Sequence, residues 1–396
     1  MIHIALLLAL LPQNDTTQAN SYDDSWESAW VTHCRTIYST TNKAGGFVLQ
    51  IGDSITHSAP YAQWPRAGTG ASNDDTSVLS WIGAATWSGT VNDTSSKNGF
   101  YLAVADTEAN ADGLRGMCAA SGLRADEFIN GNNNGTVAMP SETNTAAAKT
   151  IVAAGDTTYG GNLNATTVAA AFADAQFAVL MLGTNDASAG RSVQDFMADL
   201  TAIVDVLEGR DIVVILSTIP PHYAATALAE SYNDSIRAFA QSRGLPLIDF
   251  EAEVLARRPT DWNGTLMNSN DVHPSASGGG YTSSSNPYSP GGDVATDTTG
   301  DACTYVGYLL RSWLTVQKLK EVRLYVVDGV DPPATPGPTP TPTPVPSTPH
   351  VGDSANGDDS LNDTLCGGSV GAGAPGAAGL AWLAAALLIA AGARRR

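Results

Sequence analysis

Three polar residues, widely separated in a chain of 396, have the types that acyl transfer needs. Ser54 ends the run Phe47-Val48-Leu49-Gln50-Ile51-Gly52-Asp53-Ser54, and Asn185 sits in Gly183-Thr184-Asn185-Asp186. His273 lies in Asn268-Ser269-Asn270-Asp271-Val272-His273-Pro274. A hydroxyl attacks a carbonyl carbon when a base takes its proton and N–H donors hold the resulting oxyanion. Ser, His and Asn supply those roles in turn. Gly, Asp and Ser are also ordinary turn residues, so each stretch alone reads equally as a loop. The weight lies in finding all three in one chain.

Positioning them requires a sheet. Phe47 to Ile51 is apolar apart from Gln50, as a buried parallel strand would be, and Gly52 permits a sharp turn. A helix starting just after would leave the Ser54 N–H among unpaired first-turn donors. Thr167 to Asp174 reads as helix and Phe177 to Leu182 as a second buried strand. Apolar Val193, Phe196, Met197, Leu200, Ile203, Val204 and Leu207 predict an amphipathic helix from Val193 to Glu208, ended by Gly209. A third strand follows from Ile212 to Leu216, a helix from Leu228 to Ser242 stopped by Gly244, and a strand from Leu245 to Phe250. Tyr305 to Val322 reads as a closing helix. This alternation predicts an α/β fold, a three-layer α/β/α sandwich of flavodoxin-like type around a central parallel sheet. The strand ends of such a sheet share one rim, where distant residues meet. The Gly-, Ser-, Thr-, Asn- and Asp-rich stretch after Thr56 predicts an elaborated loop region over that rim. Its Tyr61, Trp64, Trp81 and Trp87 would either stack on sugar rings or form a small core of the insertion.

Over roughly residues 46–322 these stretches resemble the SGNH or GDSL hydrolases, a family of esterases and lipases. The resemblance implies Ser54 as nucleophile, His273 as general base, and an oxyanion hole of the Ser54 N–H, the Asn185 side chain and a glycine N–H. Gly122 in Ser121-Gly122 matches that glycine, with Gly116 as the alternative. The family carries Asp three residues before the His, where this chain has Asn270. Either the neighbouring Asp271 orients His273 from a loop one residue tighter, or Asn270 accepts the imidazole N–H, or a Ser–His dyad works alone. The expected catalytic set is Ser54, His273 and Asp271; Asp249, at a strand end, reads as structural. The resemblance implies ester hydrolysis without a cofactor. No metal site is expected, since the six His lack zinc-ligand spacing. The Gly52-Asp53-Ser54 turn also lacks the glycines and lysine of a phosphate-binding loop.

The formal charge is −19, with 20 Lys and Arg and no basic run except Arg394-Arg395-Arg396, which excludes nucleic acid as an expected partner. Acidity of this kind suits solubility outside the cell. Residues 1–19 read as a signal peptide cut near Ala19, although no Lys or Arg precedes the apolar run. Residues 20–330 are the expected hydrolase domain and 331–365 a Pro/Thr-rich and acidic linker. In 366–396, Cys366-Gly367-Gly368-Ser369 precedes an uncharged stretch and the terminal arginines. That segment resembles bacterial surface-sorting tags of the GlyGly or myxobacterial type, and implies a sorting protease as partner. A plain transmembrane anchor, giving membrane attachment, is the alternative. Either reading puts the domain at the cell surface or secreted from a bacterial envelope. Cys34, Cys118, Cys303 and Cys366 permit disulfides in three connectivities. The expected substrates are small O-acyl groups on polysaccharide, with a lipase or short-chain esterase as the alternative. A reading of another class is a non-catalytic surface glycan-binding protein on a degenerate hydrolase scaffold, motivated by Asn270 and the tryptophans.

Overall fold

The apolar runs become strands β1 (Val48–Gly52), β2 (Phe177–Met181), β3 (Val213–Ser217) and the short β4 (Leu247–Ile248), all buried. They pair in parallel in the order β1-β2-β3-β4. A parallel bridge from Gly52 to Ala119 continues the sheet beyond β1. In chain order the arrangement is therefore 2-1-3-4-5, the doubly wound order of flavodoxin-like folds. The structure is a computed structural model and describes residues 18–39, 46, 48–58, 60–84, 119, 122–130, 175–289 and 302–333. All belong to one compact unit, residues 1–337. The expected signal peptide, the helix at Thr167 to Asp174, Trp87, Gly116, Cys118, most of the linker and the C-terminal tail lie outside the described residues.

Helices cover both faces. On one side lie α1 (Glu27–Ser39), α3 (Pro60–Ala67), α4 (Asn73–Ala84) and the closing helix α10 (Gly307–Val322). On the other, α5 (Ala125–Asn130) and α8 (Thr226–Arg243) pack on α7 (Val193–Glu208). Short helices α2 (Ser54–His57), α6 (Thr184–Ser188) and α9 (Phe250–Arg257) start where β1, β2 and β4 end. Local signals account for the boundaries. Ser192 caps α7 by accepting the Asp195 N–H, and Gly244 ends α8 in the left-handed conformation at φ +70°.

One expectation is corrected. The start of the stretch after Thr56 holds α3 and α4 rather than loop, while 85–118 and 131–174 lie outside the described residues. Tyr61 and Trp64 are fully buried in the main core, and Trp81 packs edge-on against Phe177 at 5.6 Å. They are core residues, not sugar platforms. The helices escape sequence reading because their polar residues hide a tertiary reward. Asp75, for example, accepts the Ser72 N–H and also takes bonds from Tyr288 and Gln317 across the core. Helix α10 is buried almost all round, including Arg311, Gln317 and Lys318. Lys318 bonds Asp23 at 2.8 Å and Glu321 at 2.5 Å, tying the N-terminal segment to α10. Asp23, Asp24 and Glu321 form the only three-carboxylate cluster among the described residues, and the Lys318 ammonium lies in it. Cys34 is a buried free thiol and Cys303 is buried.

Gly52 is fixed by space rather than by conformation. A Cβ there would collide with the Thr56 side chain and come within 2.8 Å of the Met181 carbonyl. Neither neighbour can yield without opening the β1–α2 turn. Gly52→Ala is expected to destabilise the chain by about 1–3 kcal/mol, read as a lower urea midpoint at unchanged m-value. An unchanged midpoint would show that the turn has slack.

Candidate active site

β1 delivers Ser54 to the rim through a turn held from beneath. Asp53 is fully buried and caps α2, its Oδ1 accepting the Ile55 N–H at 2.9 Å. Arg311, reaching up from α10, donates to the Ile55 carbonyl at 2.9 Å and to Thr56 Oγ1 at 2.7 Å. Its guanidinium lies over the Tyr61 ring at 3.9 Å, and the Tyr61 hydroxyl donates to Gln50 Oε1 at 2.8 Å. The one polar residue of β1 is thereby explained. Burial pushes the Asp53 carboxyl up to about 6, against the Ile55 N–H and the Arg311 charge, which favour the ionised form.

His273 arrives from the opposite end of the chain. The loop closes on itself through Asn268 N to His273 O at 2.9 Å and Asp271 N to Asn268 O at 3.1 Å. Ser275 then fastens it to the start of α10, accepting the Gly307 N–H on Oγ at 3.1 Å and the Tyr308 N–H on its carbonyl at 3.0 Å. His273 Nε2 stands 2.8 Å from Ser54 Oγ, and Nδ1 stands 2.8 Å from Asp271 Oδ1. Asn270 takes no part. It adopts φ +54°, its N–H bonds Asn263, and its side chain faces Ser269. The left-handed turn at Asn270, a conformation asparagine tolerates, brings Asp271 rather than Asn270 under the imidazole. Partial burial pushes the Asp271 carboxyl up, but the His273 ring and the Val272 and His273 N–H groups outweigh it and hold it below the usual range. An ionised acceptor at Nδ1 keeps the proton there and leaves the Nε2 lone pair facing the serine hydroxyl.

A second Ser–His pair shows what that tautomer decides. Ser188 Oγ lies 2.9 Å from His222 Nε2, but His222 Nδ1 accepts the Ala224 and Ala225 N–H groups at 3.2 and 2.9 Å. The His222 proton must therefore sit on Nε2 and point at Ser188, which bonds the Thr184 carbonyl. Burial also lowers the His222 pKa. This imidazole is a neutral cap and has no base to offer.

Asn185, on α6 at the end of β2, reaches the same turn. Its Nδ2 donates to the Leu123 carbonyl at 3.2 Å and lies 3.4 Å from Asp53 Oδ2. Gly122 precedes Leu123, has φ +78°, and has open space where a Cβ would stand. Asn185 Nδ2 thus ties the Asp53–Ser54 turn to the segment in which Gly122 precedes Leu123. Asp186, to which the sequence reading assigned no role, holds this arrangement from behind. It is buried, accepts the Ala125 N–H at 3.1 Å and pairs with Arg191 at 2.5 Å. Arg191 continues to Asp199 at 2.6 Å. Adjacent residues of α6 therefore grip residues 123 and 125, the segment carrying Gly122. The signal for Asp186 was its place beside Asn185; Arg311 could have been suspected as the one charge among the apolar residues of the first half of α10. Asp249 caps α9 and binds Arg237 through both oxygens, at 2.7 and 2.8 Å. Its role is structural.

Residues 119–279 match the model of the GDSL-like Lipase/Acylhydrolase family. No curated protein matches the chain. Among solved structures, a carbohydrate esterase of family 3 from Talaromyces cellulolyticus is 15% identical with a TM-score of 0.37, covering 72% of this chain and 99% of that one. An acetyl esterase mutant with an acetate ion is 19% identical, TM-score 0.33, covering 57% and 87%. A GDSL-like lipase from Bacteroides thetaiotaomicron VPI-5482 is 12% identical, TM-score 0.33, covering 63% and 91%. The family match makes residues 119–279 similar to the GDSL group, whose members hydrolyse esters.

Two predictions follow from the two carboxylates. Asp271→Asn is expected to lower kcat/KM for p-nitrophenyl acetate roughly 10²–10⁴-fold, while Asn270→Ala stays within about twofold, as a residue outside the hydrogen-bond chain should. The reverse order would return the orienting role to Asn270. For Asp53 the folded carboxyl keeps its proton to higher pH than the unfolded one, so its stabilising contribution is present at low pH and lost as pH rises through about 6. Wild type should therefore lose stability relative to Asp53→Asn between pH 4 and 7 in urea unfolding. A constant difference would show that Asp53 ionises as freely in the fold as outside it.

Proposed function

We propose that this GDSL-like ester hydrolase cleaves its substrates through an acyl-Ser54 intermediate, outside the cell, and that they are small O-acyl groups on polysaccharide. The observation that carries the mechanism is the continuous pair of 2.8 Å contacts from Asp271 through His273 to Ser54. Ser54 Oγ attacks the acyl carbon as Nε2 takes the hydroxyl proton. The oxyanion forms against the Ser54 N–H, the Gly122 N–H and Asn185 Nδ2, and Asp271 stabilises the imidazolium. Collapse breaks the ester C–O bond, and the leaving alkoxide takes the proton from Nε2. Water then attacks the acyl-serine with His273 again as base, and the carboxylic acid leaves as Ser54 regains its proton. The reaction as written needs no cofactor.

The substrate reading is supported by how open the site is. His273 and Asp271 keep 32% and 45% of their side chains exposed, the openness that an ester carried on a large polymer requires. The apolar start at 1–19 and the tail at 366–396 support export and retention at or release from the envelope, with 20–330 as the working domain. Among the described residues no helix is long and apolar enough to cross a membrane; residues 370–393 lie outside them.

Ser54→Ala should reduce hydrolysis of p-nitrophenyl acetate by at least about 10⁴-fold. Wild type should release acetate from acetylated xylan and lose rate as the acyl chain of the aryl ester lengthens. Activity retained in Ser54→Ala sinks the mechanism, and a preference for long acyl chains sinks the polysaccharide reading in favour of a lipase.

A further inference from the structure

Tyr223 stands out once the other aromatics are placed. Among the described residues the exposed large apolar side chains are Tyr223 and Val330, at 43% each, and Tyr223 is the aromatic one. It follows β3, on the strand-end rim that holds Ser54 and Asn185. The route to the site is short: His222, its neighbour, bonds Ser188, which lies on α6 one turn beyond Asn185.

The segment presenting Tyr223 is held rigidly. Asn233 clamps Ile219 at both backbone groups, accepting its N–H at 2.9 Å and donating to its carbonyl at 3.0 Å. Ile219 also packs within 3.2 Å of the Cβ position of Gly183. Pro220 and Pro221 then fix two φ angles. His222 is locked by Ser188 and by the Ala224 and Ala225 N–H groups, and its carbonyl accepts from Thr226 Oγ1 at 2.9 Å. The Tyr223 ring lies parallel to that fixed imidazole, 10° apart in plane with centroids 5.7 Å apart. An aromatic face pre-set in this way loses little side-chain entropy when a ligand covers it.

We propose that Tyr223 is a sugar-stacking subsite of the catalytic rim, taking a pyranose ring of the polysaccharide whose acyl group Ser54 removes. This rests on the ester-hydrolase reading of the site. A flat, water-exposed aromatic face suits the apolar face of a sugar ring. An acyl chain or a lipid tail would gain little there, since such groups bind in concave pockets that cover most of their surface.

The test uses the full chain and two independent readouts. Titration with unacylated xylohexaose, cellohexaose and mannohexaose, followed by calorimetry, should show binding of at least one by wild type. Tyr223→Ala should weaken that binding about tenfold, the scale of one aromatic anchor, and Tyr223→Trp should restore it. In kinetics, the ratio of KM for the matching acetylated oligosaccharide to KM for p-nitrophenyl acetate should rise about tenfold in Tyr223→Ala. Binding of none of the three sugars by wild type, or an equal affinity in Tyr223→Ala, overturns the proposal. Failure of the ester reading would instead appear as hydrolysis surviving in Ser54→Ala, which the titration does not touch.

Discussion

The buried guanidinium of Arg311 is the constraint around which this site is built. A charge removed from water is tolerated only when its donors are met, and removing one partner leaves the rest stranded. Arg311 meets that demand with the Ile55 carbonyl, Thr56 Oγ1 and the face of Tyr61. Two of those partners belong to the turn that carries Ser54. The closing helix is therefore not merely laid on the sheet; it holds the backbone of the turn that carries Ser54. Its first turn also receives the His273 loop through Ser275. One helix thus sets both the serine and its base, although 219 residues separate them in sequence.

Proton placement completes what position begins. Two serine–histidine pairs stand at hydrogen-bond distance among the described residues, and distance alone does not separate them. Their outer partners do. A carboxylate at Nδ1 forces the proton there and turns the Nε2 lone pair on Ser54; two backbone N–H groups at Nδ1 of His222 force the opposite tautomer. The first imidazole can accept a proton and the second cannot. Asp186 and Arg191 do comparable work beside Asn185, fixing the segment at Ala125 against α6.

What could be read from the chain follows the range of the interactions involved. β1, β2, β3 and the helices at Val193–Glu208 and Thr226–Arg243 were legible because burial periodicity and glycine stops are local. That Ser54, Asn185 and His273 would meet at one rim was legible because each sits in a short stretch at an element's end. The helices after Thr56 were not, since Asp75 and Tyr61 each have a buried partner more than 200 residues away. The same holds for Arg311, whose partners lie in β1's turn, while Asp186 reaches Ala125, 61 residues away, and the nearby Arg191. The choice between Asn270 and Asp271 turned on a single φ angle, which a residue's identity biases but does not fix.

Asp53 and Asp271 show how one rim gives two carboxylates different work. Asp53 has no water to share its charge, so its pKa climbs to about 6 and ionisation depends on Arg311 and the Ile55 N–H. Asp271 keeps nearly half its side chain in water and is held below the usual range by the ring it orients. The exposed carboxylate can carry a full charge through the cycle and stabilise imidazolium. The buried one cannot do so at the same low free energy, and its bonds are to backbone and to Asn185. Exchange their environments and both roles fail: a buried Asp271 would tend to hold a proton and release the tautomer, while a solvated Asp53 would no longer hold the turn in which Ser54 is set.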